Sequence, residues 1–107
     1  MATYIILSRF SPETFKDPKD FKGVADKVAS EIRKRCPGVT WKQSLATMGR
    51  YDVVDIVEAS DSREVERAAM IIRGFGRCSA TETMPGTPWE SFVTMLGQEA
   101  QEMAGRR

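Results

Sequence analysis

The chain has no histidine. That removes at once the commonest metal ligand, the usual general base near neutrality and the proximal ligand of globin-type haem. Cysteine is scarce too: Cys36 and Cys78 are the two present, and they form no metal-ligand pattern with each other. Sixteen Lys and Arg against fifteen Asp and Glu leave a net charge of +1, too little for a broad nucleic-acid or anionic-membrane footprint. No apolar run is long enough to span a bilayer. The N-terminus lacks the basic leader of a signal peptide, so a cytoplasmic chain with free thiols is expected. No cofactor is expected, and neither nucleic acid nor membrane as a partner.

What is present fits one α+β domain over residues 1–107. Tyr4-Ile5-Ile6-Leu7 is a short β-rich run that marks a strand over 3–9. Phe21, Val24, Ala25, Val28 and Ile32 then keep helical spacing over about 19–35, ended by Cys36-Pro37-Gly38. Strands follow over 39–48 and 51–59. Asp61 with Glu64 offers a capping box for a second helix, whose apolar side is Val65, Ala68, Ala69, Ile72 and Phe75. Cys78 to Met84 gives a fourth strand, ended by Pro85-Gly86. Thr87-Pro88-Trp89-Glu90 starts a last helix, about 87–104, and the tail Gly105-Arg106-Arg107 is expected to fray. The order β-α-β-β-α-β plus a helix specifies a ferredoxin-like fold.

A glycine-led turn at Gly49-Arg50 predicts a two-residue type II′ hairpin. Its register pairs Met48 with Tyr51, Ala46 with Val53, Ser44 with Asp55 and Lys42 with Val57. The expected sheet faces follow from that register. Trp41, Leu45, Val54, Ile56, Ile5 and Leu7 face the helices, while Tyr4, Ile6, Ser8, Lys42, Ser44, Ala46, Val53, Asp55 and Val57 form the other face. The second face is half apolar, which calls for a covering partner, and a homodimer or higher homo-oligomer through it is expected. Arg9, Ser11, Arg50, Tyr51, Asp52, Arg77 and Cys78 gather at one sheet edge. Cys36 falls at the opposite edge, roughly 23 Å away, beyond disulfide reach.

Asp55 stands out, because a mid-strand carboxylate under cover costs several kcal/mol unless it is paired. Lys42 and Ser44 are its expected neighbours. It serves either as an ion-paired interface group or as a binding group in a pocket, and in the second case it is the weak candidate for acid-base chemistry. Asp52, just past the turn, suits bonds back to turn amides. Tyr51 suits a packing or ligand-contact role. The ligand-binding candidates are therefore Tyr4, Ser8, Lys42, Ser44, Tyr51, Asp52 and Asp55.

Four segments carry a resemblance: Tyr4 to Ser11, Cys36-Pro37-Gly38-Val39, Gly49-Arg50-Tyr51-Asp52-Val53-Val54-Asp55, and Ala68 to Arg73. Together they resemble the GYD-domain family, known by its Gly-x-Tyr-Asp motif, here Gly49, Tyr51 and Asp52. The resemblance implies a dimeric α+β barrel and no defined activity. The glycine, aromatic and aspartate leading into a strand are also similar to the effector-binding domain of Lrp-type regulators. The leading expectation is a homo-oligomeric module binding a small molecule between sheet and partner. A cofactor-independent oxygenase or isomerase, with Asp55 as base and Tyr51 or Tyr4 orienting substrate, is the second. A purely structural assembly role for Asp55 and Lys42 is the third.

Overall fold

The computed structural model describes residues 1–105, so Arg106 and Arg107, where fraying was expected, lie outside the described residues. Strands β1 (Ala2–Phe10), β2 (Thr40–Ala46), β3 (Val53–Ala59) and β4 (Cys78–Gly86) form one antiparallel sheet in the order β2-β3-β1-β4. Helices α1 (Pro18–Arg35) and α2 (Ser62–Phe75) supply the crossovers, and α3 (Trp89–Gly105) follows β4. This is the ferredoxin-like arrangement. A short 3-10 turn at Pro12–Phe15, which periodicity did not indicate, joins β1 to α1.

Local chemistry sets the helix limits. Asp17 caps α1 by accepting from the Lys19 amide at 3.1 Å, with Pro18 in the first turn, and Arg33, Lys34 and Arg35 complement its C-terminal dipole. Asp61 caps α2, but its carboxylate accepts from the Arg63 amide at 2.9 Å, so the predicted box with Glu64 is replaced by a shorter-range bond. Gly76 caps the end of α2, a position that requires glycine because an added Cβ would strike the Ile72 carbonyl. Arg77 then takes the left-handed conformation, with φ of 54°, and its carbonyl accepts from the Ser11 amide at 2.9 Å and the Thr14 hydroxyl at 3.2 Å. β4 tolerates Pro85 and runs on to Gly86 because it is an edge strand.

The core lies between the sheet and α2. Ile6, Val57 and Val65 are fully buried, and Ile32, Cys36, Ala59, Ala68, Ile71 and Ile72 pack with them. Burying each large aliphatic contributes about 1.5–3 kcal/mol. This placement reverses the expected faces except at Trp41, which faces the helices as expected. The helices cover the face of Tyr4, Ile6, Ser8, Val53, Asp55 and Val57, whereas Ile5, Leu7, Val54, Ile56 and Leu45 lie on the open face. Both alternating sets are rich in aliphatics, so period-2 patterning did not distinguish them. Ser8, Ser44 and Asp55, expected on the outer face, lie beneath α1.

Two features of the hairpin also differ from expectation. Ala46–Val53, Leu45–Val54 and Ser44–Asp55 pair, but a bulge between Trp41 and Gln43 places Trp41, not Lys42, opposite Val57. The strands end at Ala46 and begin again at Val53, and the Thr47 amide donates to the Asp52 carbonyl at 2.9 Å. The connection is thus a wider loop rather than a two-residue turn. Gly49 is not at positive φ, and a Cβ there would meet nothing within 4 Å.

α3 stands apart. None of its residues is buried, and the molecule is drawn out to 63 × 30 × 18 Å. Trp89, Phe92, Val93, Leu96 and Met103 follow one stripe and stay 36–74% exposed. No helix among the described residues is long and apolar enough to cross a membrane.

Candidate functional site

α1 packs on α2 and on the 3-10 turn, with its middle held off the sheet, and the gap is a cavity of about 620 Å³. Its roof is the apolar side of α1, Phe21, Val24, Val28 and Ile32, and Ile72 of α2 closes one flank. Phe10 enters from the end of β1 and meets Phe21 edge-on, with ring centroids 5.1 Å apart. The floor is the sheet, where Ser8, Trp41, Ser44, Val53 and Asp55 face inward. Arg33 stands exposed at the rim, and Cys36 is buried where α1 ends.

The polar floor is organised around Asp55, which is 6% exposed. Its Oδ1 accepts from Ser44 Oγ at 2.5 Å and from Trp41 Nε1 at 3.1 Å, and Trp41 Nε1 also donates to Ser44 Oγ at 2.9 Å. No described residue donates to Oδ2. Burial pushes the Asp55 carboxyl above the ordinary carboxylate range, and the bonds from Ser44 and Trp41 oppose this in part. Ser8 is 1% exposed and its Oγ has no hydrogen-bond partner. A buried hydroxyl without a partner costs roughly 1–3 kcal/mol, so the floor holds unmet bonding capacity on both residues. Desolvation likewise raises the Cys36 thiol and, from the adjoining strand, that of Cys78. Both cysteines are free.

The predicted site residues separate into three groups. Ser8, Ser44 and Asp55 come together in the cavity, whereas Tyr4, half-buried against the core, is not among its lining residues. Lys42 does not join them. The bulge turns it toward Glu58, 3.6 Å away on the solvent side, so the Lys42–Asp55 pairing is not formed. Asp52 and Tyr51 belong to the sheet edge. Asp52 Oδ2 accepts from the Phe10 amide at 2.8 Å and its own amide donates to the Ser8 carbonyl at 2.8 Å, which fastens the loop to β1, while its carbonyl closes the loop by accepting from the Thr47 amide. The Tyr51 hydroxyl donates to Glu82 of β4, a bond that raises its pKa, and its carbonyl accepts from Thr47 Oγ1 at 2.6 Å.

Sequence patterning missed the indole of Trp41 as a partner of Asp55, because no local rule places a bulge between Trp41 and Gln43. It also missed Phe10 and Phe21 as cavity walls. Helical spacing marked Phe21 only as apolar, Phe10 fell outside the expected strand over 3–9, and the separation of α1 from the sheet is a tertiary property. Among the described residues, no group of three or more His, Cys, Asp or Glu could hold a metal ion.

The same arrangement of strands and helices recurs in known proteins. The family model described as GYD domain matches residues 4–96. The chain belongs to the GYD-domain family. Among curated proteins none matches the sequence significantly. Solved structures share the fold at low identity. FFRP-DM1 aligns with a TM-score of 0.54 and 22% identity over 81% of this chain and 100% of its own. TTHA0845 from Thermus thermophilus aligns with a TM-score of 0.55 and 19% identity over 82% and 95%. At these identities the likeness carries the ferredoxin-like fold and no chemistry. The motif that names the GYD family performs structural work here: Tyr51 and Asp52 tie the β2–β3 loop to β4 and β1.

Proposed function

We propose that this GYD-domain protein binds a small molecule in the cleft between α1 and the sheet, and that it works as a homo-oligomer. The observation that carries the first half is the cavity itself. It is mostly apolar, within the usual volume of ligand sites, and has a few convergent polar groups at its floor. The site lies inside one subunit rather than between sheet and partner, because Asp55 faces α1. A thermal-shift screen tests the reading, since a ligand at about 100 times its Kd adds roughly 2.7 kcal/mol. A Trp89→Phe variant leaves Trp41 as the one tryptophan of the chain, and its emission then reports on the floor. Silence of both signals across a broad metabolite library overturns the reading.

The oligomer half is supported by two uncovered apolar surfaces on one chain. The open sheet face shows Leu45 at 45% and Met84 at 38% exposure, and α3 shows Trp89 at 74% and Leu96 at 50%. Surfaces of this kind are a liability without a partner, and a second copy supplies matching ones. A monomer by light scattering at every concentration up to about 10 times the cellular range refutes it.

A cofactor-independent oxygenase or isomerase remains the alternative, favoured by one observation, the burial of the Asp55 carboxyl beside an apolar cavity, which raises its pKa. The Tyr51 part of that scheme has no support, since its hydroxyl is committed to Glu82.

A further inference from the structure

Asp55 and Ser8 line the cavity with one unused acceptor and one buried, unused hydroxyl. Oδ1 of Asp55 is saturated by Ser44 and Trp41, so a guest meets Oδ2. Ser8 Oγ, buried and unpartnered, retains both an O–H to give and lone pairs to fill. The strands set the spacing of the two residues. Ser8 lies opposite Val53, and Asp55 is two positions further along β3 on the same face, a diagonal of about 7–8 Å between backbone positions. Two hydrogen bonds of about 2.8 Å meeting at a single oxygen suit such a diagonal once both side chains reach inward.

The remaining walls narrow the chemistry. Phe10, Phe21, Val24 and Val28 offer only apolar contact. A ligand carboxylate set against Asp55 is repelled. An ammonium satisfies the carboxylate but leaves the Ser8 proton unused, and the positive charge of Arg33 among the lining residues opposes it. A neutral hydroxyl leaves neither group wanting: it accepts from Ser8 and donates to Asp55.

We propose that the cleft selects an uncharged, largely apolar molecule bearing one hydroxyl group, alcohol or phenol, held between Ser8 Oγ and Asp55 Oδ2. This rests on the reading of the cleft as a binding site. Four probes of one shape separate the two ideas: 4-propylphenol, propylbenzene, 4-propylbenzylamine and 4-propylbenzoate, titrated into the full-length protein and followed through backbone amide shifts. The phenol is expected to bind about tenfold or more tighter than propylbenzene, the order given by a well-made pair of buried hydrogen bonds. In Ser8→Ala, folded by the same spectrum, the phenol falls to within about threefold of propylbenzene, whose own affinity is unchanged. Equal binding of phenol and propylbenzene, with no effect of Ser8→Ala, overturns the hydroxyl assignment and leaves the cleft as an apolar site. Tightest binding by the amine overturns it in favour of a cation site. Failure of all four probes overturns both the assignment and the cleft reading.

Discussion

Removing the Ser8 hydroxyl should stabilise the free protein, contrary to the usual effect of truncating a buried side chain. Ser8 is 1% exposed and its Oγ is without a partner, so the folded state carries a desolvation cost of roughly 1–3 kcal/mol that the unfolded chain, bonded to water, does not. Ser8→Ala deletes one oxygen, and the void left is on the order of 10 Å³, which at about 24 cal/mol per Å³ costs only about 0.3 kcal/mol. The net gain is then about 1 kcal/mol, or about 4 °C in Tm for a domain of this size. Urea unfolding at neutral pH measures it as a midpoint shift of about 0.5 M for a slope near 2 kcal/mol/M. Ser8→Val, with branching that suits a strand and methyls that enter the cavity, should gain at least as much. A loss of about 0.5 kcal/mol or more in Ser8→Ala would refute the reasoning. It would mean that Oγ is bonded to an ordered water or a retained guest, and the floor would then have no unmet hydroxyl.

Further predictions bear on other parts of the structure. The Asp55 carboxyl is raised, chiefly by burial. The folded state therefore holds this proton more tightly than the unfolded chain, and the site's contribution to stability is full below the unfolded value of about 3.9 and is lost as pH rises through the folded value. Asp55→Asn, which keeps an acceptor for Ser44 and Trp41, should accordingly gain stability relative to the parent between about pH 4 and neutrality; a pH-independent difference in urea midpoints would sink that account. Asp52→Ala strips the Phe10 amide of its charged partner and should cost about 1.5–3 kcal/mol by chemical denaturation. Gly76→Ala drives a methyl into the Ile72 carbonyl and should cost more than about 1 kcal/mol, while Gly49→Ala, at a negative-φ position with open space, should be neutral or gain up to about 1 kcal/mol; the opposite ranking would restore the tight-turn role for Gly49. Leu96→Glu on α3 should weaken self-association by at least about tenfold in sedimentation equilibrium with the domain's amide spectrum otherwise kept, and unchanged association would remove α3 from the interface.

Local patterns along the chain specify the elements and most of the pairing. Helical spacing in α1 and α2 and the Asp61 cap follow from local rules: periodicity and capping act over a few residues, and those residues are adjacent in the chain. The opposition of Ser44 to Asp55 holds as well, although the connection is a wider loop than the turn that predicted it. The sequence also singled out Asp55, because a carboxylate in mid-strand is costly wherever the strand is covered. Which face is covered was decided only by tertiary structure. Ile6 and Val57 on one side are no more apolar than Ile5 and Ile56 on the other, so the choice passed to how α2 packs and to where α1 is held off. One bulge between Trp41 and Gln43 then exchanged Lys42 for the Trp41 indole as the neighbour of Asp55. The spacing of α1 from the sheet left Ser8 facing a cavity with its hydroxyl unused. Both outcomes depend on contacts between segments tens of residues apart, where composition and spacing carry no information about distance.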